Sequence, residues 1–320
     1  MMRRLESEAL RADLSSVEDI LGQRSATEDP VGWFQFTQRK DDLESKIAEL
    51  QGDTAQSAAV ALYFGGRPVI GSRGILADFG ARAVESFQSI VSTRFAALEG
   101  PLGERGPVPQ RERSALMITE VARGSFGFVL EETETSNPPE LPVTSLNEVV
   151  DEVCDLIHNL AASDDGAEAD LVGVPEALDK RVLGCLQSFF RLLNDSGATL
   201  RIVEDRREFS LRPDMIARAK ERTDAMNVEE SNEQIEGRLF LLPDARRFEL
   251  HPVGGGASLK GTVAAEALAS ATQATGDIPP GLIGSIVTAE LRVRELRFKQ
   301  QPGKRSYQLV SIEPLSRQST

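Results

Sequence analysis

Two cysteines and two histidines are the only thiol and imidazole groups in the chain: Cys154, Cys185, His158 and His251. Cys154 and His158 are four residues apart, which puts both on one face of a helix. With Cys185 and His251 they would make a nominal Cys2His2 zinc set. The surrounding pattern argues against it. Cys154 falls within the stripe Leu146, Val149, Val150, Val153, Ile157, Leu160, and Cys185 within Leu178, Val182, Leu186, Phe189, Phe190, Leu193. Thiols in such stripes behave as small buried hydrophobes, and no Cys-x-x-Cys pair is present. We therefore expect no metal and no cofactor. Cys154 and His158 also fail as nucleophile and base, since a reactive thiolate needs a polar cleft and Val153 and Ile157 flank this one. Ser125 lacks a G-x-S-x-G frame. Asp164 and Asp165 lie in an acidic stretch whose ordinary role is solvation, and neither a P-loop nor H-E-x-x-H occurs.

Residues 122–129, "ARGSFGFV", look like the glycine-rich loop of protein kinases, G-x-G-x-x-G-x-V, with Ala122 in place of the first glycine. Phosphoryl transfer also needs a following strand lysine, a catalytic-loop aspartate and a metal-binding aspartate after the loop. The next lysine is Lys180, in a helical pattern, no H-R-D exists, and Asp78-Phe79-Gly80 precedes the loop. The stretch is better explained as a turn at Arg123-Gly124. That turn pairs Val121 with Phe126 and Thr119 with Phe128. Met117, Val121, Phe126, Phe128 and Leu130 then share one face, and Gly127 lies on the other, where a helix approaches.

The remaining candidate is electrostatic. Arg292, Arg294, Arg297 and Lys299 line "SIVTAELRVRELRFK", and Lys304 and Arg305 open the next strand-like run. Phe248, Phe298 and Tyr307 are candidate stacking rings. Basic grooves with such rings bind single-stranded nucleic acid. Charge opposes this use: residues 237–320 hold eleven basic and seven acidic residues, a balance of +4, so the rest of the −14 chain carries −18. The leading expectation is a non-catalytic interaction or regulatory protein. It would bind a protein partner or itself, with the basic strand docked on the chain's own acidic body or on an acidic partner. A nucleic-acid-binding regulator comes second, and an enzyme without recognisable motifs third. Arg292 and Arg294 should lie opposite Val287, Leu291 and Val293, exposed or paired.

The elements that must place these residues give an α+β chain in three parts. Residues 1–51 are a helical hairpin. Leu10, Leu14, Val17 and Leu21 form one stripe, and Trp33, Phe36, Lys40, Leu43, Ile47 and Leu50 the other. Thr27 can cap the second helix and Pro30 fits its first turn. This hairpin is also the expected homodimer contact. Residues 52–230 form an α+β body that begins as ββαββ. Gly65-Gly66 would turn a first hairpin, setting Phe64 against Arg67 and Leu62 against Val69, and Phe79 to Leu98 mark a long helix. Ser145 and Glu148 make a capping box for the helix carrying Cys154. The helix carrying Cys185 ends at Gly197. "ATLRIVEDRREFSLRP" reads as a third hairpin, and a helix follows from Asp214. The acidic "NVEESNEQIEG" marks a boundary.

From Gly237 to about residue 316 the pattern is five short strands and one Ala-rich helix, which resembles a small OB-like or SH3-like barrel. The resemblance covers about a quarter of the chain. Along its fourth strand the apolar phase flips at Leu296 and Phe298, so a bulge is expected near Arg294-Glu295. Arginine outnumbers lysine, 29 to 7, a bias common in GC-rich bacterial genomes. Two lone cysteines fit a reducing compartment. No apolar run approaches the roughly 18–20 residues of a spanning helix, so a cytoplasmic protein without membrane contact is expected.

Overall fold

The computed structural model describes residues 3–314, apart from 24–26, 28, 53–56, 101, 104, 123–125, 133–143, 163–177, 205–206, 243–245, 272–283 and 299–302. Helices α1 (Arg3–Gly22) and α2 (Pro30–Gly52) pack on each other as the expected hairpin. Val17 and Leu43 are buried, and Lys40 reaches Glu18 at 2.9 Å. Asp29 takes the capping role expected of Thr27: its carboxylate accepts from Gly32 N–H at 2.9 Å. Val31 and Phe34 remain exposed.

Strand β1 (Ala59–Gly66) does not form the expected hairpin. Gly66 takes a left-handed φ of +82° and the chain leaves the sheet; Arg67 N–H donates to the Gly197 carbonyl at 3.1 Å. The short strands β2 (Val69–Ile70) and β3 (Gly74–Ile75) pair with each other. Helix α3 (Ala77–Glu99), strands β4 (Leu116–Ala122) and β5 (Phe126–Glu132), and helices α4 (Leu146–Ala162) and α5 (Lys180–Ser196) follow. Strands β6 (Ala198–Glu204) and β7 (Glu208–Leu211) and helix α6 (Pro213–Ala225) complete the body. The sheet order is β4-β5-β1-β6-β7, and each pair is antiparallel. Val60 to Phe64 are all buried, so β1 needs neighbours on both edges and both faces. An end hairpin could not provide them.

One core joins the sheet to α3–α6 through Leu62, Phe64, Leu130, Phe87, Cys154, Phe189, Phe190 and Ile216. The other sheet face carries Ala61, Tyr63, Val129 and Val203. Tyr63 pairs with Gly127, and a Cβ on Gly127 would meet the Tyr63 ring at 2.5 Å. An aromatic ring, not a helix, therefore makes the close approach expected there. Val121 pairs with Phe128 and Ala122 with Gly127, two residues away from the expected register. The turn at Arg123-Gly124 lies outside the described residues. Met117 and Val121 are exposed on the edge strand rather than packed. The third hairpin, β6–β7, forms as expected.

The acidic stretch after α6 is strand, not a loop: β8 runs from Met226 to Leu242. Strands β9 (Arg247–Pro252) and β10 (Leu259–Val263), helix α7 (Ala265–Ala271), and strands β11 (Ile286–Phe298) and β12 (Lys304–Pro314) follow. Hydrogen-bonded neighbours run in the order β10-β12-β11-β8-β9, and β9 pairs back to β10. The β10–β12 pair is parallel and the other four are antiparallel. This ring has its own core of Leu239, Leu241, Phe248, Leu250, Val287, Ala289, Leu291 and Leu309.

Candidate functional site

The basic strand sits where the two cores meet. Val287, Ala289 and Leu291 point into the ring, while Leu296 and Phe298 join the body core. Alternation never breaks along β11; what changes is the cover on its second face. The expected bulge at Arg294-Glu295 is absent. The register instead slips where Glu290 and Leu291 pair with Ser311 and Leu309, leaving Val310 as the extra residue of β12. Arg292 and Arg294 share the parity of Leu296, so they turn toward the body and are 8% and 3% exposed. They form no exposed basic row, although Arg292 reaches a cleft beside the contact. The Arg294 guanidinium donates to the Gln308 side-chain carbonyl at 2.7 Å and lies 3.7 Å from Glu230. Gln308 in turn donates to the Ala97 carbonyl at the end of α3, at 3.0 Å. Burial pushes Arg294 down to about 10, with Asp179 the leading group opposing that shift.

The other basic residues are dispersed. Arg297 is held by Glu295 at 2.8 Å and Glu229 at 3.0 Å. Arg305 meets Glu295 at 3.3 Å, and those carboxylates raise both guanidinium groups. Lys304 is exposed, and Lys299 lies outside the described residues. Of the candidate rings, Phe248 is ring core, Phe298 packs on the body core and Tyr307 on the ring core. The strand therefore lies between the ring and the body, and its described residues present no cationic stripe to solvent.

Beside this contact is a cleft of about 800 Å³, walled by the start of α5, the 102–103 segment, β8 and Arg292 of β11. Asp179 caps α5 by accepting from Arg181 and Val182 N–H, both at 2.8 Å. Glu230 takes the next helical donor, Lys180 N–H, at 3.1 Å. The second Asp179 oxygen is buried without a hydrogen bond.

Sequence reasoning missed a different surface. On β8, Arg238, Phe240 and Leu242 alternate with buried Leu239 and Leu241 and face outward. Phe240 is 39% exposed and meets His251 edge-on, with ring centroids 5.5 Å apart. Arg247 and Lys260 are exposed on β9 and β10, and Glu249 bridges Lys260 and His251 at 3.3 and 3.2 Å. The alternation of "GRLFLL" held the available signal, since period two separates its two faces.

The thiol and imidazole groups are not brought together. Cys154 is fully buried, and burial drives its thiol well above the usual range, with Glu204 adding to the shift. His158 lies edge-on to Phe209, and burial lowers its pKa. Cys185 is only half-buried, beside the Thr93 hydroxyl at 3.6 Å; it lines a second cleft of about 500 Å³. Its raised pKa, again from burial first, makes it a poor nucleophile. Among the described residues, no group of three or more His, Cys, Asp or Glu could hold a metal. Glu204 is buried beside Arg207, which also reaches Asp155; burial lifts Glu204 to about 7 against the opposing pull of Arg207. No helix among the described residues is long and apolar enough to cross a membrane. The chain matches no known protein family, no curated protein and no solved structure.

Proposed function

We propose that this is a non-catalytic interaction protein that meets its partner on the outward face of the C-terminal ring. The carrying observation is the exposed group Phe240, Leu242, Val253 and Ile286 around the Phe240–His251 contact. Single exposed apolar residues are ordinary, whereas several along the outward face of adjoining strands mark a contact surface. Arg238, Arg247 and Lys260 flank them. Residues 237–320 balance to +4 against −18 for the rest of the chain, and with three cations on this face they favour a partner segment with apolar side chains and acidic flanks.

We read the ring as a small OB-type barrel. Numbered from one to five, its strands pair in the order 1-2-3-5-4-1, with 3 and 5 parallel and a helix between 3 and 4, which supports that reading. The same order favours a second reading, single-stranded nucleic acid, because OB barrels bind oligonucleotides over strands 2 and 3 and Phe240 offers a stacking ring.

Phe240→Ser combined with Leu242→Ser tests both readings, since both residues are exposed. Crosslinking in cells should tie the parent to a discrete protein that the double variant loses, and a labelled oligodeoxythymidine should not bind the parent. Saturable, salt-sensitive oligonucleotide binding that disappears in the variant would make the second reading the better one. Identical crosslinks from both proteins would remove this face as a contact.

A further inference from the structure

The N-terminal hairpin leaves apolar surface uncovered. Val31 and Phe34 stand in the first turns of α2 and are both 68% exposed. Three residues apart, they share one helix face at a separation of about 5–6 Å. Among the described residues of the hairpin, the buried apolar side chains are Val17 and Leu43, and they belong to neither the body core nor the ring core. A helix pair with so small an interior depends on what its apolar face packs against. Two acidic residues, Glu28 and Asp29, precede Val31, and no basic residue follows before Arg39. Asp29 already answers the positive end of α2 by capping Gly32 N–H at 2.9 Å.

The outward face of the ring offers the converse. Phe240 and Leu242 are two residues apart on β8, about 7 Å along the strand, close to the spacing of the α2 pair. In the strand register Arg238 stands between Ile286 and His251, Phe240 beside Glu249, and Leu242 beside Arg247. Glu249 is held by Lys260 and His251. Glu236 lies beyond Arg238, on the side away from Phe240. The apolar pair is therefore bordered by Arg238, Arg247 and Lys260.

Resting on the reading of this face as a partner surface, we propose that its occupant is the start of α2 from a second copy of this chain. Val31 and Phe34 pack on Phe240 and Leu242, and the acidic end of α2 turns toward Arg238, Arg247 and Lys260. The two surfaces are complementary twice over, apolar against apolar and acid against base, which fixes the choice of partner. Within one chain all four apolar side chains stay exposed, so the contact is one between chains. Each copy carries one surface of each kind. Two copies that exchange hairpins about a two-fold axis make the contact twice, which strengthens a small patch through avidity.

The test weighs the purified full chain by sedimentation equilibrium over a range of micromolar concentrations. The parent should exceed the monomer mass. Val31→Ser with Phe34→Ser, and separately Phe240→Ser with Leu242→Ser, should each weaken self-association roughly 30-fold or more, the loss of an interfacial hot spot. All four positions are exposed, and circular dichroism checks that both variants fold. Mixing the two double variants decides the geometry. One keeps its ring face and the other its α2, so the mixture should form a 1:1 complex that neither forms alone. Three outcomes overturn the proposal: the parent is a monomer throughout, the ring-face variant self-associates as the parent does, or the mixture of two monomeric variants forms no complex. The reading of the ring face fails separately. If the parent is monomeric yet the ring-face variant still loses its crosslinked protein in cells, the face serves another protein and only the second-copy assignment falls. If the crosslinks are also identical, both fall.

Discussion

A carboxyl group beside an arginine is ordinarily ionised, yet Glu204 is lifted to about 7. Burial favours its neutral form, and nearby Asp151 adds to that, together outweighing Arg207. Between pH 4.5 and about 7 the unfolded chain releases the Glu204 proton while the folded chain keeps it. The contribution is therefore fully present below about 4.5 and is lost as pH rises through 7. Glu204→Gln should flatten the fall in unfolding free energy over that window, by up to about 1.4 kcal/mol per pH unit. Urea titrations of parent and variant at several pH values measure it, and parallel curves would remove Glu204 as the cause. The two thiols should separate as well. Cys185 should label slowly in the native protein and Cys154 only in denaturant, so Cys185→Ser should abolish native labelling. Both cysteines were legible as helix-stripe residues because period 3.6 is a local property. The half-exposure of Cys185 was not, since it depends on the cleft formed with α3 and residue 108.

Elements with local start and stop signals could be read from the sequence. Asp179 caps α5, and Gly197 ends it at a φ of +60°; Pro213 opens α6. Strand partners were harder, because pairing is decided across the chain. Gly65-Gly66 carries a good hairpin signal, but β1 pairs with strands that begin some sixty and more than a hundred residues later, and five consecutive buried side chains outweigh one turn. Gly127 is legible only once that pairing is known. Its missing Cβ makes room for the Tyr63 ring, over which Arg201 lies at 4.5 Å. Gly127→Ala should destabilise the protein by about 1–3 kcal/mol, the usual cost of overpacking. Adding Tyr63→Leu should recover part of that loss, because the clash partner is gone. If denaturant midpoints are unchanged in Gly127→Ala, the close approach does not constrain the sheet.

At the scale of the molecule, β8 and β11 belong to both cores. Met226, Val228 and Leu296 are part of the body, while Leu239, Leu241, Val287 and Leu291 are part of the ring. Composition separated the two parts, and five strands with one helix were legible after residue 237. The sharing was hidden because "NVEESNEQIEG" has a loop's composition. It is strand because β11 pairs with all of it, and its exposed carboxylates are served by solvent and by Arg297. The same sharing decides how salt acts. A surface contact between residues 237–320, at +4, and the remainder, at −18, would loosen as salt rises, since exposed charges are screened within about 10 Å at 0.1 M. Here the polar link runs from Arg294 through Gln308 to the Ala97 carbonyl, all buried. Raising salt from about 0.1 to 1 M should therefore leave the small-angle scattering profile unchanged, because buried pairs are screened much less. Arg294→Glu should have a large effect. It places a carboxylate near Asp179 and Glu230 and costs about 3–5 kcal/mol, the scale of an unpaired buried charge. Gln308→Ala should cost less, about 1–3 kcal/mol, by leaving the Ala97 carbonyl without its donor. For Arg294→Glu we expect a larger radius of gyration with helical circular dichroism retained, since the link reaches α3 only at its last turn. Expansion of the parent with salt, together with an unchanged profile for Arg294→Glu, would show that the ring is held by surface charge instead.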